Sequence, residues 1–264
     1  MARPLTVAGV FAHPDDETWS LAGSFALLVP KGVRGVVWTA TRGQAGEIAE
    51  GSGVTREGLP EVREAEERAA MAVVGVERVA FGEFVDGQVD QADRDALTTA
   101  VHGFLERHQP DVVVTMEPGG VTAHPDHMAV TAATQAAFGA YVAAPRAREA
   151  RFYYWGVAAS DMAGWRELGR ASGFAVPGAE DPYGSHGTPD DQFTCVVDTS
   201  GVAEQAYRAL CRHRTQAGDP WYQLLAQQDN WRTVFARSQF VRVHPAPRPG
   251  DPIETSLAEA FTDG

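Results

Sequence analysis

The sequence predicts an α/β fold: a Rossmann-like, mostly parallel sheet flanked by helices, in a single domain with a loop-rich C-terminal third. Three observations carry this. Short apolar runs alternate with helically patterned segments over the first two-thirds of the 264 residues. The fourth run, residues 112–115, is continuous and β-branched, as in a strand covered on both faces. Hydrophobic residues make up 44% and charged residues 22%, an ordinary globular balance in a chain long enough to bury a sizeable core.

In order, residues 6–12 read as a strand and 18–29 as a helix stopped by Pro30 and Gly32. Residues 33–39 are a second strand. Residues 61–74 are a helix, with Val62, Ala65, Ala69 and Val73 at helical spacing and Gly75 at its end. A third strand, 78–81, precedes a helix at 93–108 with Leu97, Val101 and Phe104 on one face. The strand at 112–115 leads to a helix at 127–142 and a fifth strand at 151–155. Residues 156–192 are rich in Gly, Pro and Asp and read as a site-covering loop that sets specificity. A strand at 193–197 and a helix at 202–214 follow, then an apolar segment ending near Val243. Residues 1–243 therefore form one domain, and 244–264 an arm or partly ordered tail, Pro-rich and then acidic.

The 22 basic and 35 acidic residues leave a net charge of -13, which repels nucleic acid and anionic membrane. No apolar run approaches the ~20 residues of a bilayer span, and no basic–apolar–small leader opens the chain. A cytoplasmic protein with a small-molecule partner is expected, without nucleic acid or stable membrane association; a homo-oligomer is compatible with the sequence. Cys195 and Cys211 lack metal-ligand spacing and read as reduced core thiols. No GxGxxG, GxxxxGK[ST] or GxSxG is present, so dinucleotide, P-loop and nucleophile-elbow chemistry is not indicated.

Two segments carry chemistry. His13-Pro14-Asp15-Asp16-Glu17 follows the first strand, and His124-Pro125-Asp126-His127 follows the fourth. A parallel sheet places ligands at the carboxyl ends of its strands, near the switch in strand order. If the first and fourth strands are neighbours, both segments open on one cleft. Imidazole and carboxylate are good ligands for Zn²⁺, which in catalytic sites takes three protein ligands. His13, Asp16 and His127 supply two nitrogens and one oxygen, although ligand chemistry alone does not say which of Asp15 and Asp16 ligates. The same site would take Fe²⁺, Co²⁺ or Mn²⁺. The remaining groups could move a proton and stabilise an oxyanion. Together these parts describe metal-assisted amide hydrolysis. A simpler use of Asp15, Asp16 or Asp126 is to cap the helix that follows.

The two motifs resemble the signatures of the PIG-L/LmbE-like de-N-acetylases. The likeness runs from about residue 5 to 145 and returns at Cys211-Arg-His-Arg-Thr-Gln216, similar to the family's His-x-[Ser/Thr]-Gln. The family often has Gly directly before its second motif; here Gly119 and Gly120 come earlier. The resemblance implies one zinc per chain on His13, Asp16 and His127. It implies Asp15 as general base, His124 as oxyanion stabiliser or acid, and Asp126 as the group that tunes His124. Glu47 and Asp86 match positions near the sugar hydroxyls, and Arg63 and Glu66 match a family Arg-x-x-Glu. Arg63 is then a phosphate or hydroxyl anchor, or else half of a surface salt bridge. His213 would support the site from behind.

The expected activity is removal of an N-acyl group, foremost acetyl, from an amino sugar or related glycoside. Alternatives are an amidase acting on a thiol conjugate or secondary metabolite, and a non-catalytic metal-dependent sugar-binding protein. A two-metal phosphoesterase would need a second ligand set. The long loop places His186 and Tyr183 near the substrate at most, and the six tryptophans read mainly as core.

Overall fold

The computed structural model describes residues 3–173 and 186–261. Tyr183 and the middle of the expected long loop lie outside them. The strands are β1 (Thr6–Phe11), β2 (Arg34–Thr39), β3 (Arg78–Phe81), β4 (Val112–Met116), β5 (Arg151–Gly156), β6 (Cys195–Asp198) and β7 (Arg237–His244). They form one sheet in the order β3-β2-β1-β4-β5-β7-β6. The first five are parallel, and β7 runs antiparallel to both β5 and β6. The strand order turns back between β1 and β4, with Val7 opposite Val112 and Gly9 opposite Val114. A crevice opens beyond the carboxyl ends at such a point.

The helices are α1 (Asp16–Leu28), α2 (Leu59–Val73), α3 (Arg94–His108), α4 (Gly120–Ala123), α5 (Pro125–Val142), α6 (Ala159–Ala171), α7 (Ala203–Leu210), α8 (Pro220–Ala226) and α9 (Trp231–Val234). Side chains alternate across β1. Val7 and Phe11 join one core with Leu21, Phe25, Met71 and Leu210 from α1, α2 and α7. Ala8, Val10 and Ala12 join the other with Leu97, Val101, Val130 and Phe138 from α3 and α5. Each fully buried Phe or Leu contributes about 1.5–3 kcal/mol relative to an exposed one. These two cores hold the sheet rigid and fix the loops at its carboxyl edge.

Three expectations need correction. Residues 156–192 contain a helix, α6, whose Met162 is buried and whose Gly173 leaves it at φ 78. Glycines at 164 and 169 diluted its pattern, while Met162 and Trp165 are one turn apart and face inward. The late helix stops at Leu210 instead of 214, because His213 leaves the helical region at φ -79, ψ 63. Glu66 then accepts the Thr215 N–H at 3.0 Å and its hydroxyl at 2.6 Å, bonds that anchor the new turn on α2. Of the two free cysteines, Cys195 is buried and Cys211 is exposed, so only one is a core thiol.

The chain beyond His244 returns to the sheet. Leu257 and Ala258 are buried, and Glu254 bridges backbone bonds to Thr194 and Val196. Its carboxylate meets Arg242 at 2.5 Å, the Tyr153 hydroxyl at 2.7 Å, and Arg151. No helix among the described residues is long and apolar enough to cross a membrane.

Candidate active site

Both histidine motifs converge at the β1/β4 crevice. His13 lies two residues beyond β1, and His124 and His127 start α5. The three imidazoles cluster, with centroids 4.8 Å (His13–His124), 5.1 Å (His13–His127) and 4.9 Å (His124–His127) apart. A strained turn delivers the second motif. Val121 and Ala123 hold φ of 61° and 54°, left-handed values that cost an L-residue about 1–2 kcal/mol. Gly120, at φ 72, presents its carbonyl to His127 Nδ1 at 2.9 Å. A Cβ there would sit 3.0 Å from that of His127.

Three donors face one point. His13 Nδ1 is 3.1 Å from His127 Nε2, His127 Nε2 is 3.4 Å from Asp16 Oδ1, and His13 Nδ1 is 3.7 Å from Asp16 Oδ2. Tetrahedral metal bonds of about 2.0–2.1 Å separate adjacent ligand atoms by about 3.3 Å. Two of the three separations are near that value and the third, to the other oxygen of Asp16, is longer, so the His-His-carboxylate set could hold a small divalent metal. The outer ring nitrogens are held as such ligands need. His127 Nδ1 faces the Gly120 carbonyl, and His13 Nε2 lies 3.0 Å from Asp86 Oδ1 and 3.2 Å from Asp126 Oδ2. His13, His124 and His127 bring nitrogens close enough to share a metal, and so does a second group, His13, Asp86 and Asp126. It uses the nitrogen that must carry a proton when Nδ1 ligates, so hydrogen bonding accounts for it. Asp16 Oδ2 accepts the His13 N–H at 2.8 Å.

The electrostatics are those of a site built for positive charge. Burial pushes His13 down, but its hydrogen bonds to Asp126 and Asp86 and the charge of Asp16 outweigh that and hold it up at about 10. Burial and the charge of His13 press His124 down to about 4 and His127 to about 3. Asp86 is ionised to about 2, because its bond and attraction to His13 overcome burial. Burial raises Asp16, and the charge of His13 opposes it.

Asp15 stands beside this set in a backbone conformation of φ 107, ψ -26, unusual for a non-glycine and found mostly at functional sites. Its N–H donates to Glu17 Oε2 at 2.9 Å. Fully buried His213 braces Glu17 from behind, with Nε2 3.3 Å from Oε1 and 3.1 Å from the Thr18 hydroxyl. Burial pushes the Asp15 carboxyl up to about 6 against the pull of Arg63. Neither Asp15 nor Asp16 caps α1, and His124 Nδ1, not Asp126, caps α5 by accepting the Asp126 N–H at 3.2 Å.

The other expected residues divide. Asp86 lines the cleft as a partner of His13 and accepts the Ala45 N–H at 2.8 Å. Asp126 bonds to His13 and to the N–H groups of Gly87 (2.7 Å) and Val89 (3.0 Å). It acts on His124 through charge, as one of the weaker influences there. Arg63 is buried, so the surface salt bridge is excluded. Its guanidinium donates to the carbonyls of Pro14 and Gly43 (3.1 Å) and lies 3.7 Å from Asp15 Oδ2. A Cβ on Gly43, at φ 65, would collide with it. Glu66 turns to Thr215 and not to Arg63. Glu47 is exposed and not among the residues that line the cleft, although its charge reaches Asp219, which is.

The cleft encloses about 420 Å³. Sequence reasoning missed Tyr222 and Asp219 at the entrance to α8, and could not choose among the tryptophans, of which Trp19, Trp155, Trp165 and Trp221 line the cleft. Tyr222 donates to Asp15 Oδ2 at 2.8 Å. Burial, with Asp15 and Glu47 nearby, raises Asp219 to about 6. No motif marks these positions; only the mixture of aromatic residues in short, otherwise polar segments hinted at them.

The model of the GlcNAc-PI de-N-acetylase family matches residues 9–138. A 1D-myo-inositol 2-acetamido-2-deoxy-alpha-D-glucopyranoside deacetylase from Rhodococcus jostii is 30% identical over 268 aligned positions, covering 90% of this chain and 91% of that one. Among solved structures, N,N'-diacetylchitobiose deacetylase from Pyrococcus horikoshii superposes with a TM-score of 0.63 at 18% identity, over 92% of this chain and 86% of the other. A 4-carboxy-2-hydroxymuconate hydratase from Pseudomonas putida does so at 0.61 and 19%, over 92% and 98%. At those identities the likeness is one of fold, and the same fold carries different chemistry.

Proposed function

Since this chain belongs to the PIG-L family of de-N-acetylases, we propose that it is a metal-dependent hydrolase that removes an N-acyl group from an amino sugar or related small glycoside. The observation that carries the reading is the triangle of His13 Nδ1, Asp16 and His127 Nε2 with Asp15 beside it. His13, Asp16 and His127 would hold one divalent metal, zinc by preference of the donor set. When bound, it supplies a Lewis acid to a water and to the amide oxygen.

The chain's own groups do the rest. Asp15 takes a proton from the attacking water and returns it to the departing nitrogen; a carboxyl near 6 is ionised at neutral pH yet basic enough for the task. His124 is neutral there. The Asp126 N–H donates to its Nδ1, which leaves the ring proton on Nε2 as a donor for the developing oxyanion. Asp86 and Asp126 hold the orientation of His13. Asp86 and Arg63 line the half of the cleft proposed for the sugar.

Retention of an acid–base residue and a separate oxyanion donor favours turnover over a pure sugar-binding role. The test is acetate release by zinc-loaded protein from a panel of soluble N-acetylglucosaminides, with Asp15→Asn and metal-stripped protein as controls. Release by the loaded wild type alone supports the reading. Equal release by the Asp15→Asn protein, or none from any amide, sinks it.

A further inference from the structure

The cleft has two unlike halves. On the side of β2 and β3 it is polar, with Asp86, Arg63, Gln216 and Asp219. On the side of β5 it is mainly aromatic and aliphatic, with Arg166 of α6 as the charged residue there. There Trp155 and Val157 come from β5 and its end, and Met162 and Trp165 from α6. Trp165 meets Trp221 edge to face at 6.4 Å, and Trp19 meets Tyr222 the same way at 5.7 Å. Trp19, Trp155, Val157 and Trp165 also border a small adjoining cavity, so they form one continuous wall. The donor set sits between the halves, at the ends of β1 and β4.

We infer that this wall seats the acyl side of the substrate, and that the acyl group is an apolar chain longer than acetyl. The inference rests on the amide-hydrolase reading above. An amide fixed at the donor set sends its two substituents in opposite directions. The oxygen of water bonds to the acyl carbon, the C–N bond breaks, and the nitrogen takes up the water's protons. The products are a carboxylate and an ammonium ion. The ammonium belongs with the carboxylates Asp86 and Asp219. The acyl chain is then left facing the tryptophans. Trp155, Val157 and Met162 are already buried, so the part of the wall that water reaches is Trp19, Trp165 and Trp221. A single methyl would leave these partly uncovered, whereas a chain of about four to eight carbons would cover them.

The test uses full-length, zinc-loaded protein with glucosamine N-acylated by acetyl, butanoyl, hexanoyl or octanoyl, reading free amine. Catalytic efficiency should rise about threefold per methylene until the wall is filled. In parallel, acetate, butanoate, hexanoate and octanoate are titrated against tryptophan fluorescence, and affinity should climb in the same order without any turnover. Trp165→Ala should flatten both slopes.

If acetyl is released but both series are flat or falling, the inference is overturned and the hydrolase reading stands. If no amide is cleaved but carboxylate affinity still climbs, the hydrolase reading falls and the inference about the acyl group falls with it, leaving only an apolar binding wall. An octyl glycoside of N-acetylglucosamine that gains where the acyl series does not would put the wall on the aglycone side, and so overturn the inference.

Discussion

The Tyr222 hydroxyl donates to Asp15 Oδ2 at 2.8 Å, joining the first turn of the chain's chemistry to a helix 207 residues later. Asp15 thus has three groups that favour its ionised form: Arg63 at 3.7 Å, the charge of His213, and this phenol. Burial favours the neutral form and dominates. The balance leaves a carboxyl at about 6, where small changes move its charge across neutral pH.

Tyr222→Phe should therefore shift the acidic limb of the kcat/KM profile. The lost hydrogen bond favoured the carboxylate, so its removal raises the Asp15 pKa further and the active base appears only at higher pH. A move of a few tenths to about one pH unit upward is expected. A pH–rate profile of the two proteins, at equal metal occupancy, checks it. A downward move would remove Asp15 as the group behind that limb.

Asp15→Asn should keep the metal and lose turnover by about 10²–10⁴-fold, the usual worth of a positioned acid–base group. Asparagine tolerates positive φ better than most residues, so the fold at φ 107 should survive. Metal content by mass spectrometry and single-turnover rates separate the two effects. His127→Ala should lose both metal and activity.

Metal uptake should release about one proton at pH 7. Without a metal, His13 stays protonated up to about 10 because Asp126 and Asp86 outweigh its burial. The ligand must shed that proton, so apparent affinity should fall as pH falls. Calorimetry in buffers of different ionisation heat measures the proton count. A count near zero would show that His13 Nδ1 does not bind.

Glu254→Ala should destabilise the protein by about 3 kcal/mol, because it leaves buried Arg242 without its closest carboxylate. Urea unfolding with an unchanged m-value is the measurement. A loss under about 0.5 kcal/mol would mean the ion pair contributes little beyond a surface pair.

The strand–helix alternation was legible because a parallel sheet writes itself as short apolar runs. Val112 to Thr115 could hardly be anything else. The donor set was legible because its members sit in two contiguous motifs on neighbouring strands. Asp86 was found, but its partner was not: an Asp-Gly turn gives no sign that its carboxylate reaches His13. Glu47 stops short of the lining: it is exposed at the rim, near enough to Asp219 for its charge to be felt there. Tyr222 and Asp219 reach the site only through α8, a seven-residue helix with no periodicity to read. Helix α6 was hidden by its own glycines.

The bond between Glu66 and Thr215 also sets an order of events in synthesis. A ribosome that has translated both histidine motifs has made the donor set but not its closure. His213, Thr215 and Tyr222 come from the last quarter of the message. Until they emerge, Glu17 has no imidazole behind it, Glu66 has no turn to anchor, and Asp15 has no phenol beside it. A chain that ends before them carries both histidine motifs but not the groups that back Glu17 and Asp15, so the site is complete only once the last quarter of the sequence is in place.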